Sequence, residues 1–333
     1  MYTDDDLNYA VEKNVLTQSS VEEFRRLIAA SKGTAAVDEE NFKLIGGFND
    51  IFIVIAATLL LFSTLWMLKG INNTLALLVF TALSWWLSEF FVLKRKMALP
   101  AIVLLLSFVG GIFSTAMSLF PSVSELAVIL AAGSAILAAY VHWLRFKVPI
   151  TVAAGAAATV GFVVSTILSI FPGINDSIEL ILFPCGVATF LFAMYWDASD
   201  RSRTSYRSDV AFWLHLLSAP LIIHPVFSSL GILNNNQSMG SVVVVILLYV
   251  LMTVVSIAID RRAFMVSSLV YVLFALSTLI KNYGGVGSSF AFTGAAMGGM
   301  LLVLSAFWHR ARAYLVSRLP AQFKRYVPAV TTK

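Results

Sequence analysis

The chain has 333 residues, of which 59% are hydrophobic and only 12% are charged. Because soluble domains carry about 25% charged residues, this composition excludes an ordinary soluble protein and indicates one embedded in a membrane. The net charge is +5, but the basic residues are dispersed among short loops, so we expect no nucleic-acid partner. The single cysteine, Cys185, excludes a disulfide within the chain.

The first 46 residues form a polar, acidic segment with nine acids and five bases. Residues Asp4–Asn14 predict a short helix, and the spacing of Ser20 and Glu23 predicts a capping box at the start of a second. A third amphipathic stretch covers Val37–Ile45. We predict a small cytoplasmic helical domain over residues 1–46. It either packs on the cytoplasmic loops or on a second copy, or stands as a solvated helical hairpin.

Residues 47–308 contain ten apolar segments that are long enough to cross a bilayer. The fold predicted is therefore an all-α integral membrane protein with ten transmembrane helices. The predicted spans are Phe48–Leu68, Ile71–Leu93, Leu99–Phe120, Ser124–Leu144, Val148–Phe171, Ser177–Trp196, Ser208–Leu233, Gly240–Ile259, Arg262–Ile280 and Gly287–Trp308. No signal peptide precedes them, so we expect the first span to act as its own insertion signal.

Positive charge alternates between the loops and predicts their orientation. The basic loops hold Lys94, Arg95, Lys96, Arg145, Lys147, Arg201, Arg203, Arg207, Arg261 and Arg262. The opposite loops hold only Lys69 and Lys281. By the positive-inside rule, the basic loops and both termini face the cytoplasm of a multi-pass protein in a bacterial inner membrane. Residues 309–333 are predicted to be a basic interfacial tail on anionic lipid.

Part of the membrane region is repeated in sequence. Residues 108–121 match residues 159–172 at seven of fourteen positions without a gap, which predicts parallel helical-hairpin repeats that each pair an odd span with the next. Ser114 and Ser165 are equivalent positions in this repeat. Many transporters bind substrate at a repeat interface, so both serines are candidate permeation residues. The alternative is that their hydroxyls bond to their own helix or to a neighbour.

Small residues suggest which spans lie inside the bundle. Gly110, Gly161 and the pair Gly294 and Gly298 would let helix backbones approach closely. We therefore expect the third, fifth and tenth spans to be internal.

The seventh span combines two prolines with two histidines. His215, Ser218, Pro220, His224 and Pro225 lie within eleven residues of one another. Each proline removes a backbone donor, and irregular backbone at membrane depth is tolerated where it faces protein or a cavity. The pattern predicts a proline-broken helix whose histidines form a permeation or proton-relay site. The alternative is a kinked packing helix whose imidazoles bond to neighbours.

Glu89 is the one acid placed about a turn inside a basic cluster, at Lys94–Lys96. It is interpreted either as half of an interfacial salt bridge or as a carboxylate that binds a coupling ion or proton. The four histidines lack the arrangement of a haem or metal site, and no nucleotide-binding or hydrolase motif is present. We therefore expect no metal, no cofactor and no catalytic residues.

The chain resembles a group of uncharacterised bacterial predicted membrane proteins in which a short N-terminal helical domain precedes many spans. The resemblance rests on Asp5–Leu16, Asp38–Asp50 and Phe212–Pro225, and it implies no function. Ten spans with both ends inside also resemble drug/metabolite transporters. Those proteins repeat as inverted five-span halves, however, whereas this chain suggests parallel two-span repeats.

Three functions remain open from the sequence. The preferred one is a small-solute or ion permease, with membrane lipids and an unidentified small solute or ion as its partners. The second is a non-transporting scaffold or sensor that acts through residues 1–46. The third, an integral-membrane enzyme, is disfavoured by the scarcity of acids in the spans. A homo-oligomer is compatible with each.

Overall fold

The computed structural model describes residues 4–31, 48–200, 205–229, 239–283 and 289–320, together with residues 322 and 327. Within these ranges every regular element is a helix and no strand occurs. The chain divides into two compact units, which are residues 1–41 with 329–333 and residues 42–328.

The first unit contains helices α1 (Asp4–Glu12) and α2 (Gln18–Ser31). The predicted capping box is wrong, because Ser20 lies inside α2 and its backbone N–H donates to the Thr17 hydroxyl at 3.2 Å. Val21 is buried, whereas Val15 and Phe24 are exposed. The predicted stretch Val37–Ile45 lies outside the described residues, and the predicted boundary at residue 46 stays a prediction.

The described residues of the second unit form ten long helices. They are α3 (Phe48–Lys69), α4 (Asn73–Ser88), α5 (Ala98–Ser118), α6 (Glu125–Phe146), α7 (Ile150–Ile170), α8 (Glu179–Ser199), α9 (Tyr206–Ser229), α10 (Met239–Ile259), α11 (Ala263–Tyr283) and α12 (Ser289–Arg318). A π-helical turn, Glu89–Lys94, prolongs α4, and a 3₁₀ turn, Pro172–Ser177, precedes α8.

Seven of the described helices, α3 to α9, are long and apolar enough to cross a membrane. Helices α10 and α11 contribute two further apolar stretches, Val243–Ile259 and Ala263–Leu273. Apolar side chains all round a helix are stable only in a large core or in lipid, and large apolar side chains on α3 to α9 are exposed. The protein is therefore a multi-pass helical membrane protein.

The helices pack in a different pairing from the predicted one. Contacts are most extensive between α8 and α9, followed by α6 with α7 and α4 with α5. Each of these pairs is joined by a loop of the basic set. Helices α7 and α8, the fifth and sixth predicted spans, touch much less. Helix α7 packs on α6 and α9, whereas α8 packs on α9. A groove is left between α7 and α8.

Two glycines that the sequence did not single out lie in close contact with a neighbouring helix. A methyl group on Gly186 of α8 would lie 2.8 Å from the Leu221 carbonyl carbon of α9, and one on Gly111 would meet the Thr81 side chain of α4. Gly110, Gly161, Gly294 and Gly298 have nothing within 4 Å of that position, so this prediction was wrong. In the apolar part of α9, the seventh predicted span, 56% of the residues are buried, against 17% in α7, the fifth predicted span. The seventh span is therefore internal and the fifth is not.

Candidate functional site

Three ionisable side chains contact one another: Asp197 of α8, His215 of α9 and Arg261 of the α10–α11 turn. We call these three residues the buried charge cluster. The His215 Nε2–H donates to Asp197 Oδ2 at 3.0 Å. The Arg261 guanidinium donates to the same carboxylate, with Nη2 at 2.7 Å from Oδ1 and Nε at 3.4 Å from Oδ2. All three side chains are at most 2% exposed. The Asp197 carboxylate therefore accepts hydrogen bonds from two basic groups in a site from which water is largely excluded.

Backbone and hydroxyl groups hold Arg261 in this position. Its Nη2 also donates to the Ser208 carbonyl oxygen at 3.1 Å and to the Ser208 hydroxyl at 3.2 Å, where α9 begins. The Ser256 hydroxyl of α10 donates to the Arg261 carbonyl, and the Arg261 N–H donates back to the Ser256 carbonyl at 3.0 Å. The arginine is thus fixed at both ends and ties the α10–α11 turn to α8 and α9.

His215 is enclosed by aromatic rings. Its ring centroid lies 5.4 Å from that of Phe190 on α8 and 6.3 Å from that of Phe264 on α11. It sits nine residues into α9, about 14 Å along the helix at 1.5 Å per residue. With a neutral imidazole, Asp197 and Arg261 balance each other. A proton added to His215 would change the net charge of the cluster from 0 to +1.

A second buried ion pair adjoins the cluster through the next residue along the chain. Asp260 accepts from the Trp308 Nε1–H at 2.9 Å and lies 3.3 Å from Arg312 Nε. All three residues are at most 3% exposed. Trp308 therefore ends the predicted tenth span inside the protein rather than at its lipid-facing surface. Helix α12 also continues to Arg318, so Arg312 binds protein inside the predicted interfacial tail.

The other predicted residues of the seventh span lie apart from one another. The Ser218 hydroxyl donates to the His215 carbonyl at 3.1 Å. His224 is exposed, and its Nδ1 shares a 2.6 Å hydrogen bond with the Tyr271 hydroxyl of α11. Helix α9 runs without interruption through Pro220 and Pro225, so the predicted break is wrong. A helix can lose a single hydrogen bond at each proline and continue when neighbouring helices support it.

Glu89 has its partner on a different helix from the expected basic cluster. Its carboxylate accepts two hydrogen bonds from Arg145 of α6, at 2.9 Å from Nε and 2.8 Å from Nη2. The two side chains are 32% and 55% exposed. This contact agrees with the interfacial salt bridge interpretation in its chemistry, although Lys94–Lys96 do not supply the base.

The two repeat serines have separate environments. The Ser165 hydroxyl donates to the Gly161 carbonyl of its own helix at 2.7 Å. Ser114 lines a recess of about 350 Å³ at the ends of α4 and α5, with Asn73 and Ser118 among its neighbours. Among the described contacts, only Ser218 with His215 joins two of the predicted site residues.

Sequence reasoning missed most of the buried charge cluster. Asp197 and Asp260 were not singled out, Arg261 was used only as a marker of orientation, and Arg312 was only one residue of the predicted interfacial tail. A signal was present, because each acid ends a long apolar helix where a basic loop begins. Among the residues that the structure describes, no group of three His, Cys, Asp or Glu side chains could hold a metal ion.

Comparison of the chain with protein-family models, with curated proteins and with solved structures finds no match to any of them.

Proposed function

We propose that this multi-pass membrane protein is a proton-linked permease for a small solute or ion, with the buried charge cluster as its switching element. The observation that supports the proposal is the sharing of one buried carboxylate, Asp197, between a titratable imidazole and a permanently charged guanidinium.

Charged groups inside membrane helices are expensive. Asp197 and Arg261 lie at helix ends but are at most 2% exposed, and charged residues buried in membrane proteins commonly mark ion paths and proton relays. A scaffold could satisfy the same packing with apolar side chains, because replacing a buried ion pair by hydrophobic residues is often neutral or stabilising. The histidine in the cluster adds a side chain that can bind and release a proton.

The cluster is placed where a change of charge would move helices. Asp197 belongs to α8, His215 to α9 and Arg261 to the α10–α11 turn. A proton on His215 competes with Arg261 for the same carboxylate, so it favours a state in which Arg261 moves away from Asp197. Because Asp260 follows in the chain and binds Arg312, that movement would also reach α12. In this mechanism the proton alters the packing of α8, α9 and α12 and of the turn between α10 and α11.

We propose further that α10, α11 and α12 cross the membrane as well, giving ten spans with the basic loops and both termini in the cytoplasm. Supporting this, the ion pairs of Glu89 with Arg145 and Asp197 with Arg261 join helix ends that carry basic loops. The sequence repeat between residues 108–121 and 159–172 remains part of the proposal, as a duplicated unit of two helices. The bacterial inner membrane is the location that this topology fits.

A second candidate, a scaffold or sensor, is supported by the first unit. Tyr9, Val15, Leu16 and Phe24 are all large apolar side chains that are exposed, a concentration that is typical of a protein-binding surface. In this alternative the buried charge cluster is purely structural.

The permease proposal is tested by proton entry into proteoliposomes. The full chain is reconstituted with entrapped pyranine, and pooled amino acids, sugars and carboxylates are added outside under an inward proton gradient. We expect proton entry above that of empty vesicles, and at least a tenfold loss in His215→Ala. His309→Ala is the matched control, because His309 is exposed and should retain the flux.

Two outcomes would contradict the permease. One is wild-type proton entry equal to that of empty vesicles with every pool. The other is flux that His215→Ala and His309→Ala leave equally intact. Either result would favour the scaffold.

A further inference from the structure

A groove runs between α7 and α8 in the second unit. It has a volume of about 350 Å³, and its walls include Val152, Ala156 and Val163 of α7 and Cys185, Ala188 and Phe192 of α8. The groove exists because α7 packs on α6 and α9 while α8 packs on α9, so that the two walls touch little.

The groove offers no free hydrogen-bonding group from its two hydroxyl residues. The Thr159 hydroxyl donates to the Gly155 carbonyl at 2.8 Å, and the Thr189 hydroxyl donates to the Cys185 carbonyl at 2.8 Å. Every other wall residue is apolar or is the thiol. The chemistry of the walls therefore selects a hydrocarbon occupant and gives a polar solute nothing to bind.

The groove lies deep in the membrane. Thr159 is nine residues from the start of α7, about 14 Å along the helix axis, which is close to the middle of a hydrocarbon core about 30 Å thick. Ala188 and Phe192 are exposed at the groove, so its mouth opens to lipid. Molecules that reach it arrive through the bilayer.

We propose that this groove is a binding site for one acyl chain of a membrane phospholipid. Its walls extend from Val152 to Val163, about 16 Å at 1.5 Å per residue, so the volume of 350 Å³ gives a mean cross-section of about 21 Å². A hydrocarbon chain whose carbons keep 3.5–4.0 Å from their neighbours is about 4–5 Å wide, with a cross-section of about 16–20 Å². The groove therefore has the width of one chain.

A helix from a second copy cannot enter the groove whole, so it would have to lie across the mouth and insert only side chains. An α-helix with its side chains is about 10 Å across, so 16 Å of helix occupies roughly 1,200 Å³. That volume is more than three times the volume of the groove.

The test uses a photoreactive phospholipid. The full chain is reconstituted in vesicles of phosphatidylcholine and phosphatidylglycerol that contain a phospholipid with a diazirine in its acyl chain. After illumination, peptide mass spectrometry compares labelling of residues 152–163 and 185–192 with labelling of Leu59 and Leu60, which are exposed on α3. We expect the groove segments to carry at least fivefold more label per residue.

Two variants distinguish specific occupancy from ordinary contact with bulk lipid. Ala188→Trp places an indole in the groove and should lower labelling of its walls at least fivefold. Leu191→Trp is the matched control, because Leu191 is 61% exposed on the same helix but does not line the groove, and its labelling should equal that of the wild type. The thermal midpoint of each variant reports whether it remains folded.

Several results would overturn the proposal. One is even labelling of all lipid-facing segments in the wild type, which requires no variant to fold. Another is equal labelling in Ala188→Trp and Leu191→Trp. Efficient disulfide formation between two copies through Cys185, the only cysteine, would instead show that a second copy occupies this face.

Discussion

Replacement of Asp197 by asparagine isolates the role of burial in the charge cluster. The substitution keeps the size of the side chain and removes its charge. It leaves the Arg261 guanidinium, 2% exposed, beside a neutral amide. Removing one partner of a buried ion pair costs about 3–5 kcal/mol, because the remaining charge is left without compensation.

The matched control is Glu89→Gln in the pair with Arg145. This pair has the better geometry, with two contacts of 2.9 and 2.8 Å against 2.7 and 3.4 Å in the cluster. Its side chains are 32% and 55% exposed, however, and exposed pairs contribute about 0–1 kcal/mol. Geometry alone thus predicts that Glu89→Gln loses more stability, whereas burial predicts that Asp197→Asn does.

Thermal unfolding of the purified protein in detergent provides the measurement. One kcal/mol lowers the midpoint by about 2–4 °C in proteins of 150–250 residues. Asp197→Asn should therefore lower it by at least about 6 °C, and Glu89→Gln by no more than about 4 °C on the same scale. The double variant Asp197→Asn/Arg261→Met should recover part of the loss, since it carries no uncompensated charge. A shift for Asp197→Asn no larger than that for Glu89→Gln, or strict additivity in the double variant, would refute this reasoning.

Two further predictions concern helix packing and orientation. Gly186→Ala should lower the thermal midpoint, because its methyl group would meet the α9 backbone at 2.8–2.9 Å and overpacking costs about 1–3 kcal/mol. Gly161→Ala should not, since that position is open. In a Cys185→Ala background, Gly173→Cys should react with an impermeant thiol reagent applied outside intact cells, and Lys96→Cys only after permeabilisation. The reverse labelling would invert the proposed orientation.

The positions of the helices could be predicted from the sequence, but their contacts could not. Apolar runs identify where helices form, so the run Phe48–Leu68 corresponds to α3 almost residue for residue. Helices that are apolar all round give no signal for the face that turns inward. Gly110 was therefore chosen over Gly111, although neighbouring positions on a helix point about 100° apart.

The buried charge cluster escaped prediction for a related reason. Asp197 and Arg261 are 64 residues apart, and no local pattern links them. The seventh span drew attention to His215 through its prolines, yet the feature that gives His215 its environment is a carboxylate on α8. A basic residue in a loop also satisfies the positive-inside rule without any partner, so orientation alone was a sufficient account of Arg261.

The ion pairs have a consequence for how the chain is made. In both the Glu89–Arg145 and Asp197–Arg261 pairs the acid is synthesised first, and its base follows 56 and 64 residues later. At about 5–20 residues per second, Asp197 therefore waits roughly 3–13 s for Arg261. During that interval, His215 is made and Arg261 is not, so only one of the two bases that bind Asp197 in the folded protein is present. The α8–α9 pair thus reaches its final charge balance only after the α10–α11 turn has been synthesised. The order in which the bases are synthesised therefore sets the order in which the helices reach their final packing.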